Sequence, residues 1–166
     1  MSENILEKFF EHNQWANLQI LQACAGLTAE QLDAEPQSAT KGTIRTTLTH
    51  LVEAEQGYLS DLTGEKSRFK LENFTSFSEL DKALHYSGEG FLALARDASD
   101  AHLSTPVHTE DGYTIQPWVL LVQAVNHASE HREQIKSMLS SLGVKPPRID
   151  GWVYARTQNA FIAPPK

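Results

Sequence analysis

Apolar residues return every three to four positions along four long stretches of this chain, and segments rich in Gly, Pro, Ser and Thr separate them. The first stretch covers roughly residues 3 to 26, where Ile5, Phe9, Ala16, Ile20, Cys24 and Leu27 recur at helical spacing. "TAEQL" then opens a short turn of helix with Thr28 as N-cap and Gln31 in the capping-box position, closed by Pro36. The second long helix is predicted from Thr43 to about Leu62, with Ile44, Leu48, Leu51, Tyr58 and Leu62 as its apolar stripe and Gly64 as its stop. The third opens on a second capping box, Ser76 with Glu79, and carries Leu80, Leu84, Phe91, Leu92 and Ala95. Gly88 and Gly90 inside it cost about 1 kcal/mol each relative to Ala, which points to a kink or a close backbone approach. The fourth starts at Pro117, a favoured first helical position, and ends near Gly143, with Pro146 and Pro147 beyond it.

Two smaller elements complete the reading. Asp111 and Gly112 predict a two-residue hairpin turn between very short strands. The tail "RIDGWVYARTQN" predicts a short extra helix packed on the rest through Trp152 and Tyr154. The fold class is therefore all-α, a four-helix bundle in a single domain over residues 1–166. The connection between the second and third helices, about 14 residues, reaches about 46 Å when extended. A 20-residue helix is only about 30 Å long, so that connection can run back along the bundle and the two helices need not be antiparallel.

Composition narrows the function. The 40% hydrophobic and 21% charged residues are those of a soluble globular protein. A formal net charge of −7, with Lys and Arg scattered, argues against nucleic acid or an anionic membrane as partner. Apolar runs such as "WVLLV" are too short to span a bilayer, and "MSENILEKFF" lacks the pattern of a signal peptide. Cys24 is the single cysteine, so no intramolecular disulfide can form. The expected compartment is the cytoplasm.

The chemistry concentrates in histidines. With about 100° of turn per residue, the fourth helix sets Leu120, Ala124, His127, His131, Met138 and Leu142 in one arc. Two imidazoles one turn apart thus point into the bundle, close enough to reach one ion. Hydrogen-bonded core histidines are the competing reading, but each buried ring then needs its own partners, at about 1–3 kcal/mol for every group left unpaired. A metal needs a third ligand, and His50, at the edge of the second helix's apolar stripe, is the best candidate. Glu53, one turn on, is a fourth ligand or a base. Glu55 lies about 140° from His50 by the same rotation and reads as a buried partner for an Arg or a backbone group. Asn13 falls inside the first helix's stripe, either lining a polar cavity or satisfied in the core, and His12 borders that stripe. His85, His102 and His108 are expected to be solvated.

With these residues in view, the sequence resembles the DinB-like (YfiT-like) family of bacterial proteins, regarded as metalloenzymes. "HNQWANLQIL" is similar to the family's opening helix through Trp15, Ala16 and Asn17. "HLVEAEQGYL" matches its second helix through His50, Glu55 and Tyr58, and "NHASEHREQI" matches an H-x-x-x-H-R-x-Q pattern through His127, His131, Arg132 and Gln134. "PPRIDGWVY" resembles the closing segment, with Asp150 and Tyr154. The resemblance implies an up-down-down-up four-helix bundle and a divalent metal, nickel or zinc, held by His50, His127 and His131. It also implies a homodimer, and relatives that transfer low-molecular-weight thiols or isomerise with a thiol as cofactor. Glu133 stands where the family often has a small residue, which makes the rim more acidic.

Three imidazoles leave at least one position open on an ion, the arrangement that activates a bound water or thiol. Low-molecular-weight thiol S-transfer and hydrolysis are the two expected reactions. Glu53 is the expected base, ahead of Glu130; Arg132, Asn13 and Tyr58 are expected at the substrate, with Arg132 the one obvious cation for an anionic thiol. A non-catalytic metal-binding or stress-response module, and a metal-free dimer with buried histidines, are the alternatives. An enzyme requires Asn13, Glu53 and Arg132 to line one open pocket.

Overall fold

Asn4, Thr28, Thr43, Ser76 and Asp150 each turn a side-chain oxygen onto free amides of the following turn, and each begins a helix. The computed structural model describes residues 4–37, 42–71, 76–97 and 104–162. Its helices are α1 (Ile5–Ala25), α2 (Ala29–Leu32), α3 (Ile44–Thr63), α4 (Phe77–Arg96), α5 (Pro117–Ser141) and α6 (Gly151–Thr157). The capping box at Thr28 and Gln31 forms as expected, Gly64 ends α3 in the left-handed conformation at φ 71°, and Pro117 starts α5. The predicted boundaries hold to within one to two residues at both ends of α1, α3 and α5 and at the start of α4.

Two apolar clusters fix how the long helices run. At one end Phe10 from the start of α1 meets Leu59 and Phe91 from the ends of α3 and α4, and Leu121 from the start of α5. At the other, Ile20 and Cys24 from the end of α1 meet Ile44 and Leu80 from the starts of α3 and α4, and Leu139 from the end of α5. The direction is therefore up-down-down-up: α1 and α5 parallel, α3 and α4 parallel to each other and opposed to them. Ser67 donates to Gln56 Oε1 at 2.6 Å, the Phe69 ring lies 5.8 Å from Tyr86, and Leu71 enters the core. The chain after α3 thus folds back against α3 and α4, which lets them run in the same direction.

Gly88 and Gly90 mark close approaches. A Cβ on Gly88 would lie 2.5 Å from Gln14 of α1, and one on Gly90 would lie 2.5 Å from Leu59 of α3. Both glycines let α4 seat between those two helices. Among the described residues, no helix is long and apolar enough to cross a membrane.

Three local expectations are corrected. Ile5 and Phe9 are 70% and 55% exposed, because the inward face of α1 is carried by Phe10, Asn13, Ala16 and Asn17 instead. Trp152 is 72% exposed and lies against Phe161; α6 docks through Tyr154, which packs on His12 and Trp15 of α1. The hairpin forms, pairing Val107 with Ile115 and His108 with Thr114, but its turn is longer than two residues. Gly112 N–H donates to Thr109 O and Thr109 N–H to Tyr113 O, with Gly112 at φ 86°. A left-handed glycine at the end of a three-residue loop closes the hairpin in place of a two-residue turn.

Candidate metal centre

His50 of α3 and His127 and His131 of α5 come together in the seam between these two antiparallel helices. Each offers one nitrogen, and the three lie within 4.8 Å of one another. His127 Nε2 is 3.1 Å from His50 Nε2 and 3.0 Å from His131 Nε2. His131 is buried at 3% exposure, while His50 and His127 are half-buried, so the group opens toward one side. The sequence expectation that the α5 pair faces inward, and that His50 turns to meet it, describes this arrangement.

Proton counting shows what the group lacks. His131 Nδ1 lies 2.8 Å from Gln134 Oε1 and donates to it, which leaves the Nε2 lone pair aimed at the other rings. His127 Nε2 can carry one hydrogen, yet it faces two nitrogens at once. One of the two close pairs therefore has no proton to share among neutral rings. A cation at the centre removes the conflict, and two nitrogens each about 2.1 Å from one ion are necessarily within about 4.2 Å of each other. The donor set fits a divalent ion of the zinc or nickel type, for which imidazole is a suitable ligand. Gln134 fixes the tautomer and tilt of His131, the usual task of a group behind a metal ligand. Sequence reasoning quoted Gln134 without assigning it a role; its place three residues after His131, on the same face, was the available signal.

A second polar cluster lies deeper, between the two apolar ends. Arg132 Nη1 donates to Asn13 Oδ1 and Asn17 Oδ1, both at 2.6 Å, and Nη2 donates to Ser129 Oγ at 2.9 Å. The two amides pass the contact on, Asn13 Nδ2 donating to Glu55 Oε1 at 3.3 Å and Asn17 Nδ2 to Oε2 at 3.0 Å. Asn13, Asn17, Glu55 and Arg132 are each 3% exposed or less. Burial pushes the Glu55 carboxyl up to about 7, against the opposing pull of Arg132 and of the hydrogen bond from Asn17. Burial likewise lowers Arg132 to about 10, which leaves it charged at neutral pH.

The expected pocket of Asn13, Glu53 and Arg132 therefore does not assemble. Asn13 and Arg132 are enclosed in the cluster with Glu55, whereas Glu53 is exposed, one turn after His50 on α3. Glu55 is the buried partner its rotation predicted. Asn17, one turn after Asn13 on the same inward face, and Ser129 are members of this cluster to which the sequence reading gave no role. Tyr58 stands at the histidines, its ring perpendicular to His127 with centroids 5.7 Å apart. Glu130 is exposed on α5 and accepts from Asn126 Nδ2 at 3.0 Å. His12 reaches the carbonyl of Ile149 at 2.9 Å, and His85 and His108 are exposed; His102 lies outside the described residues. Burial pushes the Cys24 thiol up to about 12, which leaves it inert as a nucleophile.

A family model described as the DinB family matches residues 1–165. No protein of curated function matches the chain. A DinB-like protein from Bacillus cereus ATCC 10987 superposes with a TM-score of 0.67 at 20% identity, over 86% of this chain and 94% of that one. YfiT from Bacillus subtilis, described as a probable metal-dependent hydrolase with an unusual four-helix bundle topology, superposes with a TM-score of 0.65 at 19% identity. That match covers 87% of this chain and 91% of YfiT.

Proposed function

The chain belongs to the DinB family, and from that premise we propose that it is a divalent-metal-dependent enzyme, with His50, His127 and His131 as ligands. The observation that carries the reading is the convergence of three imidazole nitrogens with too few protons to satisfy one another. When bound, the ion lowers the pKa of a water to about 7 or holds a thiol as thiolate. Hydrolysis is the reaction favoured here, in keeping with the description of YfiT. Transfer of a low-molecular-weight thiol is the second reading, and the burial of Arg132 counts against an anionic thiol as its co-substrate.

The chain's own residues divide the remaining work. Gln134 keeps His131 presenting Nε2. Tyr58 walls the site beside His127 and excludes water from that side. Glu53, exposed one turn from His50, accepts a proton at the rim. Asn13 and Arg132, expected at the substrate from sequence alone, are assigned a structural task instead. A homodimer, in a reducing cytoplasm, belongs to the same proposal; the exposed Ile5 and Phe9 of α1 are the side chains whose burial it would explain.

Elemental analysis of the native protein beside His50→Ala and His131→Ala tests the metal site. About one divalent ion per chain, absent from both variants, is the expected result. A native protein that takes up neither nickel nor zinc would overturn it. Metal without turnover of any ester, amide or thiol substrate would leave a binding module.

A further inference from the structure

Gly57, Gly88 and Gly90 lie inside long helices, and two of them have a packing reason to be glycine. A Cβ on Gly88 or Gly90 would meet Gln14 or Leu59 at 2.5 Å. Gly57 has no such reason. It is exposed, and among the described residues a Cβ there would find no heavy atom within 4 Å. Its backbone is ordinary helix, since the left-handed glycines of the described residues are Gly42, Gly64, Gly112 and Gly143. A glycine inside a helix costs a factor of about five in the folding equilibrium against alanine. Neither packing nor backbone conformation accounts for that cost at Gly57.

Its place in the fold does. Gly57 precedes Tyr58, whose ring stands perpendicular to His127 with centroids 5.7 Å apart. It follows His50 by seven residues, about 10 Å along α3, and returns to within about 20° of it around the helix. Gly57 therefore lies along the seam that holds the histidines, outside the Tyr58 ring. The three histidines are not equally accessible: His131 is buried and backed by Gln134, whereas His50 and His127 are half-buried. His127 comes one turn before His131 on α5, and α5 runs opposite to α3. The accessible end of the group is thus the end toward Gly57. Across the seam, Gln123 is exposed one turn before His127.

Resting on the metal reading above, we infer that Gly57 is a specificity-determining residue. Without a side chain it leaves the approach to the histidines clear for an extended substrate. The reacting carbonyl or thiol of that substrate sits at the histidines, and its remainder is an apolar or aromatic group lying along Tyr58. Such a group gains burial against the Tyr58 ring. A side chain at position 57 would take up the same space. A compact substrate ends before it reaches Gly57 and is indifferent to what stands there.

Cobalt(II)-loaded protein makes this measurable, because the ion's visible absorption responds to ligands bound on it. The probes are acetohydroxamate and 4-phenylbutyrohydroxamate, which carry the same metal-binding group without and with a tail long enough to pass Gly57. Each is titrated into the native protein, Gly57→Ala and Gly57→Leu. Acetohydroxamate should show one Kd in all three. The long probe should bind about tenfold more weakly to Gly57→Leu, with Gly57→Ala between that and the native protein. In urea, metal-free Gly57→Ala should gain about fivefold in its folding equilibrium, as an exposed helical position with no packing demand requires. A Gly57→Ala less stable than the native protein gives the glycine a structural task and overturns the inference. A long probe that loses no more than the short one, with cobalt bound throughout, also overturns it and leaves the metal site standing. Absence of cobalt absorption in the native protein overturns the metal reading, and the specificity with it.

Discussion

His131 and Arg132 are neighbours in sequence, both 3% exposed, yet they belong to opposite kinds of polar cluster. About 100° of helix rotation separates them. Arg132 turns toward α1 and finds a closed set of partners: two amide oxygens and a hydroxyl for its donors, and a carboxylate behind the amides for its charge. His131 turns toward α3 and finds two more imidazoles, a set that cannot supply its own protons. The first kind of cluster ties helices together, and the second has the donor set of a metal site. That contrast counts against Arg132 as a substrate contact and supports the proposal that puts the metal at the three histidines.

The sharpest way to break the contrast is to remove Arg132. Arg132→Ala should cost about 3–5 kcal/mol of unfolding free energy at pH 8, since it strands a buried carboxylate and two amide oxygens. Urea denaturation of metal-free protein measures it. The cost should shrink at pH 6, where Glu55 takes up a proton and no longer needs a countercharge. A stable Arg132→Ala that has lost only activity would return Arg132 to the substrate site.

Glu55 gives the next largest effect. Its carboxyl titrates near 7 in the fold against an ordinary 4.5, so the native state holds the proton more tightly than the unfolded chain does. The stability it contributes is therefore greatest below 4.5 and is lost as the pH rises from there through about 7, a total of about 3 kcal/mol. Comparison with Glu55→Gln at each pH removes the contribution of the histidines, which titrate in both proteins. Unfolding curves for the pair that stay parallel from pH 5 to pH 8 would mean that Glu55 is ionised throughout, with Arg132 outweighing burial.

The bundle and the three histidines were legible in the sequence for the same reason. A 3.6-residue period puts Ala124, His127 and His131 in one arc, whatever the tertiary structure. Periodicity weakens at the ends of helices, where a stripe of a few residues can be drawn on either of two faces. Ile5 and Phe9 read as inward because they share a spacing with Ala16, while the true inward face passes through Phe10 and Asn13. Trp152 read as core because it is large and apolar, yet the short α6 has only one side against α1, and Tyr154 occupies it. Arg132 was hard to place for a different reason. About 100° of rotation sets it apart from His131, but the partner it meets depends on how α1 and α3 pack, which one helix's pattern does not contain.

Gln134 tests the open side of the contrast with the smallest effect. Its Oε1 is the partner of His131 Nδ1, so Gln134→Ala lets the ring rotate and removes the preference for the tautomer that presents Nε2. Such changes behind a metal ligand typically cost 10–100-fold in affinity, or about 1.4–2.7 kcal/mol. Zinc affinity by competition with a chelator should fall by that factor. Unfolding of the metal-free protein should move by only about 0.5 kcal/mol, since Gln134 is half-buried at the edge of the seam. Gln134→Glu keeps an acceptor at the same reach and should restore most of the affinity. If Gln134→Ala destabilises the metal-free protein as strongly as it weakens zinc, Gln134 belongs with the self-satisfied contacts around Arg132, and the division between the two clusters is less clean than their hydrogen bonds make it.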